Sequence, residues 1–201
     1  MKKNSLMKTL GITGSIGMGK SEAAKCFAKN GVPVFDSDAC VHNLFQNNQN
    51  LKQEIKSNFP QAIDGDQIDR TKLGMLVFNS PEKINILENI VHPHVRAEQE
   101  RFKNHHKEKN TPLVVFDIPL LFETGAEQHL DKTLVITASK KTQEERVLSR
   151  AGMSKERFEA ILSLQKDDAE KRKLADFVIS SENGREAMQK DIESLIKKLT
   201  I

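Results

Sequence analysis

Three groups of residues in this chain have the types and spacing that phosphoryl chemistry uses. The first is Gly14-Ser15-Ile16-Gly17-Met18-Gly19-Lys20-Ser21, a Gly-x-x-x-x-Gly-Lys-Ser run. Its glycines let the backbone turn where a Cβ would clash, so that successive N–H groups point at one phosphate. The run feeds a helix start, whose unpaired N–H groups and dipole favour an anion. Lys20 is a mobile point charge with the reach for β- and γ-phosphates, and the Ser21 hydroxyl is a ligand for Mg²⁺. The second group is carboxylates: Asp36 and Asp38, one residue apart, and Asp117 after the apolar run Leu113-Val-Val-Phe116. A strand closed by an aspartate sets that carboxylate beside the metal held by the loop hydroxyl, so Ser21 and Asp117 form the expected metal pair. One of Asp36 and Asp38 is expected to face the phosphates; the alternative is that both cap the next helix. The third group is Arg146 and Arg150, which share one face of a helix and either converge on phosphate or form a solvated surface.

Such residues need a scaffold that delivers them to one edge. Short apolar runs at 10–13, 32–35, 113–116, 132–137 and 177–179 read as strands, separated by helical periodicity. That alternation predicts a parallel α/β sheet, in which ligands bind outside the carboxyl ends of the strands. Gly31 closes the first helix, and Pro33 puts the second strand at an edge. Cys26, within that helix, reads as a packing residue.

Between residues 39 and 109 no segment reads as a buried parallel strand. Val41, Leu44 and Phe45 begin a helix; Leu51, Ile55 and Phe59 continue a stripe that Pro60 stops. Asp64-Gly65-Asp66 marks a turn, and 68–78 a short helix. Ser80 and Pro81 open a helix with Ile84, Leu87, Ile90 and Val91 on its apolar face. His92-Pro93-His94 is expected to break it, with a separate polar helix from 95 to 109. The block reads as a helical insertion on the ligand side of the sheet, or as a layer that only covers the core. Ile118-Pro-Leu-Leu-Phe-Glu-Thr-Gly125 reads as an exposed loop that makes sense only if it lines a pocket. Residues 139–150 form a helix with Val147 and Leu148 inward, and Ser154 caps another that carries Phe158, Ile161, Leu162 and Gln165. Met188, Ile192, Leu195, Ile196 and Leu199 stripe the last helix.

The chain's 201 residues suffice for one α/β domain with an insertion. Its net charge of +3, from 31 basic and 28 acidic residues, is too mild to call for nucleic acid. No apolar run approaches 18 residues, so no membrane span is expected, and the two N-terminal lysines precede no apolar stretch that would make a secretory signal. Two cysteines, Cys26 and Cys40, make neither a metal site nor a disulfide framework, which suits a reducing cytoplasm.

In series, these motifs resemble those of the dephospho-coenzyme A kinase family over nearly the whole chain. The marks are Gly11-Ile-Thr-Gly-Ser-Ile-Gly-Met-Gly-Lys-Ser21, Asp36-Ser-Asp38, Val91-His-Pro-His-Val95, Asp117-Ile-Pro-Leu-Leu-Phe-Glu123, Arg146-x-x-x-Arg150 and Ala175-Asp-Phe-Val-Ile179. The resemblance implies a P-loop NTPase fold of adenylate-kinase type: a five-stranded parallel sheet flanked by helices, with a helical substrate-binding insertion and a helical lid. It implies a nucleotide-binding core at 1–39, 111–149 and 171–201, a coenzyme A domain at 40–110 and a lid at 150–170. The implied reaction moves the ATP γ-phosphoryl group, with Mg²⁺, to the ribose 3′-hydroxyl of dephospho-CoA. Asp38 matches the catalytic carboxylate that takes the hydroxyl proton, Lys20 and Arg150 assist, and the ATP site runs from Gly14 to Ser21 with Arg146 and Arg150. Substrate contacts are implied for Asp38, His42, His92, Asp117, Leu120 and Leu121. The partner is a small molecule, with no nucleic acid or membrane, and the protein is a monomer or small homo-oligomer. Two positions depart from the pattern. Glu22 replaces a usual threonine and either competes with phosphate or points to solvent, and Ser181-Glu-Asn-Gly184 displaces the Asn and Gly of the adenine loop.

Two other classes share part of this pattern. A different small-molecule or nucleotide kinase would keep the glycine loop and Asp117, but nucleoside monophosphate kinases carry an Asp-Gly-x-Pro-Arg loop absent here. A GTPase-like switch needs a guanine-reading Asn-Lys-x-Asp element, and none occurs.

Overall fold

A computed structural model describes residues 7–78 and 80–201. The stretch in which no secretory signal is read, residues 1–6, lies outside them. In chain order the elements are β1 (Lys8–Thr13), α1 (Lys20–Lys29), β2 (Val34–Asp36), α2 (Ser37–Asn47), α3 (Gln49–Asn58), β3 (Ile63–Asp64), β4 (Gln67–Ile68), α4 (Arg70–Val77) and α5 (Pro81–Glu108). Then follow β5 (Leu113–Asp117), β6 (Lys132–Thr137), α6 (Lys140–Leu148), α7 (Lys155–Ser163), α8 (Asp168–Leu174), β7 (Phe177–Ser180) and α9 (Gly184–Thr200). The chain divides into two compact units, one of residues up to Phe35 with His106–Ile201, the other Asp36–His105.

In the first unit the sheet is five-stranded and parallel, in the order β2-β5-β1-β6-β7, with helices flanking it. β1 is central, with Leu10 opposite Val115 on one side and Lys132 on the other. β1, β5 and β6 are buried on both faces over most of their length, which is why they read as continuous apolar runs rather than alternating ones. Successive side chains still divide between faces. Leu10, Ile12, Leu134 and Ile136 join Phe27 of α1 and Ile192 and Leu195 of α9 in the larger core, whereas Val135 packs with Leu121 and Phe122 in a smaller one. β2 is an edge strand, as Pro33 predicts. Cys26 is buried against that larger core, where burial, more than any other influence, pushes its thiol pKa up.

Two expectations about this unit need correction. Leu148 is exposed, so of the two only Val147 points inward from α6. The loop after Asp117 is not an exposed apolar segment: Leu121 and Phe122 form a second core beneath it. Gly11 makes room for that packing, since a Cβ there would stand 2.5 Å from Leu130 Cδ1 and 3.2 Å from Leu121 Cδ2.

The second unit is helical around Leu44, Phe45, Leu51, Ile55, Phe59, Leu73, Ile90 and Val91. Asp64-Gly65 turns a small antiparallel hairpin that pairs Ile63 with Ile68, so the helix expected from 68 starts later, at Arg70. Asp69 sets that start by accepting the Thr71 and Lys72 N–H groups at 2.9 Å. His92-Pro93-His94 does not break its helix: α5 runs unbroken with Pro93 inside it. An interior proline costs about 3 kcal/mol through its missing N–H and its clash with the preceding turn. Buried Ile90 and Val91 just before it, and Val95 packed on the same core just after, hold both halves of the helix on one surface and offset that cost.

Candidate active site

The glycine loop sits between β1 and α1, and its shape depends on two close approaches. A Cβ on Gly14 would meet the Ile136 carbonyl oxygen at 2.7 Å, and one on Gly17 would meet Val147 Cγ2 at 2.6 Å. Gly17 and Gly19 have φ of 81° and 95°, the left-handed region that glycine adopts without steric cost. Within the loop Met18 N–H donates to the Ser15 carbonyl at 3.1 Å. Among the described residues, the N–H groups of Gly17, Gly19, Lys20 and Ser21 have no acceptor. Four unsatisfied donors at a helix start are what an oxyanion needs. Lys20 Nζ pairs with Asp117 Oδ1, and both side chains are largely buried. A phosphate entering the loop therefore meets a cation already poised at its base, held by the aspartate that ends β5.

Oxygen ligands for a hard divalent cation are present in this unit. Ser21 is exposed, with no side-chain partner among the described residues, and Asp117 supplies a carboxylate. No cluster of three or more His, Cys, Asp or Glu side chains forms a metal cage among the described residues. One hydroxyl and one carboxylate fit Mg²⁺, which keeps several waters and takes the rest of its ligands from phosphates.

The two arginines have different fates. Arg146 lies on α6, and its guanidinium donates to Ser181 Oγ at 2.8 Å and to the Ser181 carbonyl at 2.9 Å. A longer contact runs to the Gly17 carbonyl at 3.5 Å. Ser181 Oγ in turn donates to the Met18 carbonyl at 2.8 Å, so Arg146 braces the glycine loop against the end of β7. Arg150 falls beyond α6, exposed and without a side-chain partner among the described residues, so the expected common helix face does not form.

Glu22 does not compete for phosphate inside the loop. It pairs with Lys25 at 2.9 Å and Arg185 at 3.1 Å on the surface. Its pKa is lowered, first by the Lys25 hydrogen bond. In the displaced loop after β7, Glu182 accepts from Ser139 N–H at 2.7 Å and from Thr142 Oγ1 at 2.7 Å, tying that loop to the start of α6. Leu120 is partly exposed, but Leu121 is fully buried. Leu121 thus leaves the expected substrate set and becomes the floor beneath the loop.

In the second unit the two neighbouring carboxylates separate by role. Asp36 is the N-cap of α2, accepting Ala39 N–H at 2.9 Å. Asp38 lies in the first helical turn, exposed, with no partner among the described residues. Only one of the two is committed to capping. His42 Nδ1 lies 2.9 Å from Arg70 Nη1. Of the two histidines beside Pro93, His94 is committed to structure, with Nε2 3.1 Å from Glu54 Oε1. His92 is half-buried, and its side chain has no partner among the described residues. Burial, with Glu98 and Asp36 nearby, pushes the Cys40 thiol pKa up to about 11, which makes it a poor nucleophile.

Sequence reasoning missed four residues that shape the first unit's site: Gln143, Gln165, Ser181 and Lys171. Gln143 and Gln165 bond the backbone of Ile16, and Lys171 is fully buried beside Glu123. The sequence marks none of them: Gln143 and Lys171 lie in polar helices, Gln165 in the connector after α7 and Ser181 just after β7.

The sequence profile of the dephospho-CoA kinase family matches residues 8–187. The chain is 46% identical over 194 residues to the dephospho-CoA kinase of Agrobacterium fabrum, covering 96% of this chain and 99% of that one. It is 44% identical over 191 residues to that of Rhodopseudomonas palustris, covering 95% of each. Among solved structures, a Thermus thermophilus protein superposes with a TM-score of 0.86 at 36% identity, over 97% of this chain and 99% of that one. The dephospho-CoA kinase of Campylobacter jejuni superposes with a TM-score of 0.65 at 27% identity, over 97% and 98%.

Proposed function

The chain belongs to the dephospho-CoA kinase family and is a kinase that transfers phosphate to dephospho-CoA, and on that footing we propose how its residues share the reaction. ATP lies with its phosphates in the glycine loop, Gly14 to Ser21, its oxygens accepting hydrogen bonds from the open N–H groups. Lys20 exchanges Asp117 for the β- and γ-phosphates, since two anionic oxygens compete for one ammonium. Ser21 and Asp117 would hold Mg²⁺, which would supply positive charge against the phosphate oxygens.

Asp38 is the base. Its carboxylate accepts the proton of the ribose 3′-hydroxyl as that oxygen bonds to the γ-phosphorus and the bond to the ADP oxygen breaks. The support is its match to the family's carboxylate and its lack of any other commitment, in contrast to Asp36. Arg150, which has no structural duty among the described residues, meets the transferring phosphoryl group, while Arg146 shapes the loop's edge. Residues 40–110 receive dephospho-CoA, with His42 and His92 in contact with it and Leu120 and Asp117 on the substrate side. Residues 150–170 act as the lid. The enzyme works in the cytoplasm as a monomer or small homo-oligomer, with neither nucleic acid nor membrane as partner; no helix among the described residues is long and apolar enough to cross one.

The observation that carries the nucleotide reading is the set of open N–H groups above the Lys20–Asp117 pair. Incubation with ATP, Mg²⁺ and dephospho-CoA is expected to yield equal amounts of ADP and coenzyme A. Asp38→Asn is expected to lower kcat by roughly 10²–10⁴-fold, the usual worth of a positioned base, while ATP affinity changes little. A variant that keeps near-normal turnover would remove Asp38 from that role.

A further inference from the structure

A glycine-rich loop gains close approach to phosphate at the expense of self-determined shape, because glycine occupies left- and right-handed backbone regions about equally. Gly17, at φ 81°, follows Ile16, whose peptide groups have to be fixed from outside the loop. Two glutamines do this. Gln143 of α6, itself buried, donates from Nε2 to the Ile16 carbonyl at 2.8 Å. Gln165, in the connector between α7 and α8, accepts Ile16 N–H on its side-chain oxygen at 3.1 Å. Both polar groups of Ile16 are therefore taken up by side chains outside the loop.

The connector carrying Gln165 is itself pinned. The next residue, Lys166, donates its N–H to Glu123 Oε1 at 2.8 Å. Lys171 Nζ, wholly buried, lies 2.8 Å from the same oxygen. That ion pair is close in distance but not an aligned hydrogen bond, and Glu123 Oε2 is buried without a partner. A buried charge pair of this kind adds little net stability against an apolar replacement. Its position, directly under Gln165, ties residues 165 and 166 to the loops that follow β1 and β5.

We propose that Gln165 is a positioning residue for the nucleotide: it reaches from the α7–α8 connector, on a mount formed by Glu123 and Lys171, to hold the Ile16 peptide in the phosphate-receiving shape. Gln143 is its counterpart from α6. The proposal rests on the ATP site described above, and the experiment separates the two. ATP binding to the wild-type protein is measured by calorimetry alongside Gln165→Met, which keeps the side-chain length without the acceptor. Gln165→Asn, too short to reach, serves as the second variant. Wild-type protein that binds no ATP fails the nucleotide reading itself. With wild-type binding intact, each variant is expected to weaken ATP by about tenfold, the worth of one well-placed hydrogen bond. KM for dephospho-CoA is expected to stay within about twofold, and the Ile16 amide to exchange faster with solvent. Gln143→Met combined with Gln165→Met is expected to cost less than the sum of the two, since both act on one residue. Unchanged ATP affinity in both Gln165 variants overturns the assignment. So does an equal weakening for both substrates, which marks general loss of structure.

Discussion

The loops after β1 and β5 leave the same edge of one sheet and are built on opposite principles. The first is made of backbone. Its glycines admit the turns, the N–H groups of Gly17, Gly19, Lys20 and Ser21 are open to an anion, and its side chains contribute one lysine and one hydroxyl. The second is made of side chains. Leu121 and Phe122 fill a core beneath it, and Glu123 meets Lys171, which is 48 residues further along the chain (171 − 123). Substitution in the first loop should therefore register in ligand affinity, and substitution in the second in stability.

The largest test is Lys171→Met. Removing one member of a buried ion pair leaves Glu123 uncompensated and is expected to cost about 3–5 kcal/mol in urea unfolding. Adding Glu123→Leu should recover much of it, because the pair itself is worth little net. Failure of the second change to recover stability would mean that Glu123 bears on more than its charge partner. Next, Leu121→Ala is expected to cost about 3 kcal/mol by cavity formation, with ATP affinity of the folded protein near normal. A large affinity loss there would collapse the contrast between the loops. Gly17→Ala is expected to cost about 1–2 kcal/mol for a left-handed Cβ, in addition to overpacking against Val147 Cγ2 at 2.6 Å, and to weaken ATP at least tenfold. Leu120→Ala, on the exposed side of the same loop as Leu121, should stay within about 0.5 kcal/mol in stability.

The smallest expected effect is a pH dependence. The Ser139 N–H, with the Thr142 and Ser139 hydroxyls and Arg146, holds Glu182 below the ordinary glutamate value of 4.5. A carboxylate depressed in the folded state contributes stability that is fully present above that ordinary value. The contribution is lost as pH falls below it, through the lowered folded value. Glu182→Gln should therefore reduce the fall in melting temperature below pH 4.5 while leaving its slope at neutral pH unchanged. Glu182 is exposed, so the change should be slight.

The five strands, the helix that follows the glycine run and the cap at Ser154 were legible because each depends on residues a few positions apart. The same local logic misjudged Pro93. Its propensity says that a helix ends, but Ile90, Val91 and Val95 pack on one core and keep α5 continuous. It also misjudged the segment after Asp117, whose apolar residues look exposed until the core that receives them is in place. At the candidate site, Asp117 reaches the glycine loop from the end of its strand, but there it pairs with Lys20, which no motif announced. The bracing of the loop by Gln143, Arg146, Gln165 and Ser181 left no readable trace, since a glutamine or serine in a helix or loop has many uses.

The sequence by itself determined the phosphate cradle and the order of strands and helices along the chain, because backbone freedom at glycine and the periods of apolar residues are set by neighbours. Only the tertiary structure decided which carboxylate caps α2, which arginine braces the loop, and that Leu121 lies under the site rather than in it. Those outcomes depend on groups far apart in the chain, brought within hydrogen-bond or contact distance by the packing of the core.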